Sequence, residues 1–172
     1  MLLRCLLILL VLQIPEPDGA CEFSSDDLLI YESVIRYKLV ESANYHRGTC
    51  DMYRQDSENL KDPDQRESAQ ILFELFCSTD YFSEYRVSLN GCDPPTDFLS
   101  RIDTPHGELH RASEDTADSV CTLNCGPISR RDNQAAVNVH VDCKEHDYGG
   151  GYLLQDLGGL WLVVEGPKRV TK

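Results

Sequence analysis

Leu28, Tyr31, Ile35, Leu39 and Ala43 recur every three to four residues, the spacing of one face of an α-helix. Ser24 or Ser25 stands where an N-cap is needed, and Gly48 is the expected end of that helix. A polar interval from Asp51 to Asp62 leads to Pro63, a first-turn residue for a second helix carrying Ala69, Leu72, Phe73 and Phe76 and finishing near Cys77. The period then changes from helical to alternating. Tyr81, Ser83, Tyr85, Val87 and Leu89 interleave with Phe82, Glu84, Arg86 and Ser88, as in a half-buried strand.

Asn90-Gly91 closes that strand with a strong turn signal. Asp93 to Ile102 holds Pro94-Pro95 and room for one short helix near Phe98 and Leu99, before strands at Glu108 to Arg111 and Ser119 to Asn124. Ala135 to Cys143 is the clearest strand: Ala135, Val137, Val139, Val141 and Cys143 share one face, and Asn138, His140 and Asp142 the other. Tyr152 to Leu157 and Leu160 to Glu165 flank Gly158-Gly159 as a hairpin. Helices followed by a run of antiparallel strands predict an α+β fold.

Residues 1–20 change the picture by placing the chain. Arg4 precedes the apolar run Leu6 to Val11, and Gly19-Ala20 offers a small-residue end, the layout of a secretory signal peptide. The run is too short to span a bilayer, which takes roughly 20 apolar residues. Removing it leaves residues 21–172, a normal length for one domain. The expected location is extracellular, with no membrane insertion after the signal is removed. A net charge of −13 repels phosphate backbones and anionic lipid, so nucleic acid is not an expected partner.

Seven cysteines remain after Cys5 is lost: Cys21, Cys50, Cys77, Cys92, Cys121, Cys125 and Cys143. In an exported domain they imply up to three disulfides and one leftover thiol. A bridge from Cys121 or Cys125 to Cys143, and another from Cys77 to Cys92, suit the predicted strands. Cys21, at the terminus, is the candidate thiol for a cross-link to a second chain. Cys121, Cys125, His140, Cys143 and His146 do not suggest zinc, because His140 and Cys143 point to opposite faces of one strand. No metal or other cofactor is expected.

The helices-then-strands order, ending in Tyr152-Leu-Leu-Gln-Asp-Leu-Gly-Gly-Leu-Trp-Leu-Val-Val164, resembles the nuclear transport factor 2-like superfamily, also called cystatin-like or polyketide-cyclase-like. The resemblance rests mainly on that closing strand, glycine turn and tryptophan strand, and in topology covers Asp26 to Glu165. It implies a curved sheet wrapped around helices as an open cone, in a superfamily of isomerases, dehydratases, cyclases and members that only bind or dimerise. No catalytic residue is carried over from it.

Two residues apart on one strand, His140 and Asp142 are candidates for general base and orienting carboxylate. Tyr85, Asn138, His140 and Trp161 are candidate pocket residues. The preferred function is non-enzymatic: a secreted binding protein holding a small apolar ligand within a curved sheet. The alternatives are an acid/base enzyme using His140 and Asp142, and a secreted regulator acting through a protein partner.

Overall fold

The computed structural model describes residues 21–77, 84–104, 108–114, 121–143 and 146–167. Residues 1–20, where a signal peptide is expected, and Tyr81, Phe82 and His106 lie outside them. Helix α1 spans Ser25–Asn59 and α2 spans Pro63–Cys77. The strands are β1 Glu84–Leu89, β2 Glu108–Arg111, β3 Cys121–Cys125, β4 Ser129–Arg131, β5 Gln134–Cys143, β6 His146–Asp156 and β7 Trp161–Glu165. The short helix expected before β2 is a single 3-10 turn, Leu99–Arg101.

α1 begins where the sequence predicts. The Ser24 side chain accepts from the Asp27 amide while the Asp27 carboxylate accepts from the Ser24 amide, a reciprocal capping box. Its end is a correction. Gly48 does not stop the helix, which runs on to Asn59 and is capped by Leu60 donating to the Asp56 carbonyl. A lone glycine costs a helix only about 1 kcal/mol relative to alanine. The Asp51–Arg54 pair and the packing of α2 along this stretch favour its continuation.

One sheet carries the strands in the order β2-β1-β3-β5-β6-β7, with β4 also paired to β5. The fold is α+β, and the sheet is open rather than closed. From β3 to β7 the pairing is antiparallel, as expected, but β1 runs parallel to both β2 and β3, so the sheet is mixed. Asn90 and Gly91 both take positive φ in a two-residue turn that bridges Leu89 to Cys92, not to a following long strand. That turn sends the chain away from β1, and the return comes in parallel.

The core lies between the sheet and the first half of α1. Ile30, Val34 and Ile35 from the helix meet Val87, Leu123, Val137, Val139, Val141, Tyr152 and Leu154 from the sheet, all fully buried. β5 alternates as predicted, with its valines inward and Asn138, His140 and Asp142 exposed. Trp161 seals one end, its indole N–H donating to Asp26 at 2.7 Å. Arg130 bridges Asp26 and Asp27 and stands over the Trp161 ring. α2 packs chiefly along α1.

Candidate functional site

The residues singled out from the sequence separate by strand alternation. Tyr85 and Trp161 point into the core and are buried, whereas Asn138 and His140 lie on the sheet face opposite α1. These four therefore do not line one pocket. Asn138 and His140 do share a shallow recess with Ser88, Asn124 and the backbone of Gly149, of about 790 Å³. Strand register places Ser88 beside Asn124, Asn124 beside His140 and His140 beside Gly149. Glycine is required there, since a Cβ on Gly149 would come within 2.8 Å of the Val139 carbonyl and 3.0 Å of His140 Nδ1. Asp142 is exposed one step further along, opposite Thr122 and Asp147.

The cysteines pair as Cys21–Cys92, Cys50–Cys77 and Cys121–Cys143. The expected link from β3 to Cys143 is made by Cys121, on neighbouring strands with Cα atoms 4.4 Å apart. Cys77 and Cys92 are not partners. Cys77 ends α2 against α1 and meets Cys50, while Cys92 meets the segment preceding α1 at Cys21. Cys21 therefore has no spare sulfur for a second chain. Among the described residues the free thiol is Cys125, buried, with its acidity suppressed by desolvation.

Sequence reasoning missed the second half of α1. Val34, Lys38, Glu41, Tyr45, Gly48 and Met52 follow one another at alternating steps of four and three, a single seam along the helix. Up to Leu39 the helix buries residues against the sheet, and beyond it none is buried. Val40, Tyr45 and Met52 are 50%, 56% and 49% exposed. With Tyr37, Glu41 and Asn44 they line an open groove of about 700 Å³. The signal was in the chain, but taking Gly48 as a terminator removed Met52 from the helix.

A polar cluster closes the inner end of this groove. Lys38 is buried and donates to Glu41 at 2.9 Å, and the Tyr152 hydroxyl lies 3.2 Å from the same carboxylate oxygen. Tyr37 meets the Tyr152 ring edge-on at 5.9 Å. The groove thus offers an apolar floor with a carboxylate and the Asn44 amide at its edge, the composition of a site for a mostly apolar molecule with one polar end. On the opposite side of α1, His46 Nε2 stands 3.7 Å from Cys50 Sγ. The ligand atoms of His46, Cys50 and Cys77 all lie within 4.8 Å of one another.

Among the described residues no helix is long and apolar enough to cross a membrane. No known protein family matches the chain, and no curated protein or solved structure is significantly similar to it.

Proposed function

We propose that this chain is a secreted, non-enzymatic binding protein that seats a small apolar ligand in the groove along the second half of α1. The observation that carries the reading is the seam itself. The helix face that buries Val34 and Lys38 continues through Tyr45 and Met52 with no described part of the sheet lining the groove there. Covering Val40, Tyr45 and Met52 would remove apolar surface from water at about 25 cal/mol per Å². The core between α1 and the sheet is filled by side chains such as Phe98 and Tyr152, so the ligand seat lies on the helix rather than within the sheet.

Secretion is supported by Arg4 with the apolar run behind it and by three cysteine pairs in bonding contact. The helices-first order and the β6–β7 hairpin support the nuclear transport factor 2-like reading, in which such scaffolds serve members that only bind.

Titrating the secreted chain with the neutral fluorophore N-phenyl-1-naphthylamine tests the site. Saturable binding of one dye per chain is expected, weakened about tenfold or more, 1.4 kcal/mol, by Met52→Glu or Tyr45→Glu. Unsaturable binding, or equal affinity in both variants, would remove the groove from the account.

A further inference from the structure

The Cys50–Cys77 disulfide has an imidazole beside it, that of His46. His46 and Cys50 are four residues apart on α1 and so share one helix face, and the last residue of α2 brings Cys77 to the same point. Among the described residues, this is the one group of three or more histidine, cysteine or acidic side chains whose ligand atoms all lie within 4.8 Å of one another. We propose that opening this disulfide creates a zinc site, with His46 Nε2 and the two sulfurs as ligands and a fourth position left for water.

The geometry needs little rearrangement. Ligands on a tetrahedral zinc, at about 2.1 Å for nitrogen and 2.3 Å for sulfur, sit about 3.4–3.8 Å from one another. His46 Nε2 and Cys50 Sγ are already 3.7 Å apart. The two sulfurs must separate, by side-chain rotation at Cys50 within α1 and at Cys77, the last residue of α2. All three residues are partly exposed, so a reductant can reach them. The core does not have to open, because α1 buries nothing beyond Leu39. The chain's charge of −13 also favours a cation.

The chemistry balances with a dithiol as co-reactant. The dithiol gives two electrons and two protons to the Cys50–Cys77 bond, becoming a disulfide itself and leaving two thiols. Zinc then displaces both thiol protons and binds the thiolates and the neutral imidazole. The ion restores a link between α1 and α2 when the covalent one is gone. The cross-link thus alternates between two chemistries at one place. This site faces α2, away from the apolar groove, and stands independently of the ligand proposed there.

The test uses the whole secreted chain, oxidised and then opened with limiting dithiothreitol under anaerobic conditions, with Co²⁺ as a spectroscopic substitute for zinc. Native mass spectrometry should show one ion per reduced chain and none on the oxidised chain. The absorption spectrum should carry thiolate-to-cobalt charge-transfer bands. His46→Ala leaves the disulfide able to form, and so tests the site in a folded chain; it should weaken metal binding about tenfold or more. The paired change Cys50→Ser with Cys77→Ser should abolish the bands, with circular dichroism reporting whether its helices persist. No uptake by the reduced chain would overturn the proposal. So would uptake unchanged in His46→Ala, or uptake lost in Cys125→Ser but retained without Cys50 and Cys77.

Discussion

The two halves of α1 obey the same periodicity and meet different fates. Ser25–Leu39 carries every buried residue of the helix, among them Ile30, Val34 and Ile35, and is tied at its start by the Ser24 capping box and by the bond from Trp161 to Asp26. Residues 40–59 continue the same seam without burying any. Length explains the contrast. At 35 residues α1 is about 50 Å long, whereas the longest strand, at 11 residues, is about 36 Å. The helix outruns its sheet. An amphipathic stripe therefore states that a face expects cover, but not whether the fold supplies it.

The sharpest way to break this comparison is to truncate one buried and one exposed residue of the same helix. Ile35→Ala removes a fully buried side chain and should cost about 2–5 kcal/mol. Val40→Ala, half-exposed in the groove, should stay within about 0.5 kcal/mol. Denaturant unfolding midpoints measure both, and equal losses would mean that residue 40 is as buried as residue 35. Next in size is the staple of the overhanging half. Replacing Cys50 and Cys77 by serine frees a link across 27 residues and should cost about 3 kcal/mol. Hydrogen exchange should locate that loss in residues 45–77, with the amides of β5 protected as before. Faster exchange throughout β5 would show that the two halves unfold as one unit.

Much of the fold was legible in the chain, though not this division of α1, and what escaped has physical causes. The boundaries of α2, the strand Glu108–Arg111, the two faces of β5 and the turns at Asn90-Gly91 and Gly158-Gly159 followed from local signals alone. The parallel setting of β1 did not, because strand alternation is the same whichever way a neighbour runs. Nor did the partners of Cys77 and Cys92, since spacing says nothing of which ends meet in space. Tyr85 and Asn138 were grouped by chemistry although they face opposite ways. That mistake comes from reading each strand without the sheet that orients it.

A smaller effect should separate the anchored start of α1 from its free end by pH. The Trp161 indole N–H, followed by Arg130, holds the Asp26 carboxyl below its ordinary value near 3.8. A folded value depressed in this way contributes stability that is present above the unfolded value. It is lost as pH falls through the lower folded one. Asp26→Asn should cost about 1–2 kcal/mol at neutral pH through the weakened hydrogen bond, and should flatten the fall in stability below about pH 4. Groove-side changes such as Met52→Ala should leave that acid limb as it is. Thermal unfolding at several pH values reads both. An unchanged acid limb in Asp26→Asn would remove the carboxylate from the account of how the helix is anchored.

The smallest change bears most directly on why the second half exists in this form. Gly48 sits in mid-helix with a helical backbone and nothing within 4 Å of where a Cβ would stand, so no close approach demands glycine there. Gly48→Ala should then stabilise this stretch by about 0.5–1 kcal/mol, through lost freedom in the unfolded chain and better helix propensity. Yet Gly48 lines the groove beside Tyr45 and Met52, and any side chain there occupies space a ligand would use. Alanine should raise stability and hold dye binding nearly level, whereas Gly48→Leu should block the dye while keeping the helix. If leucine at 48 left dye affinity unchanged, the groove would not be where the apolar molecule sits, and the exposed seam would need a different occupant.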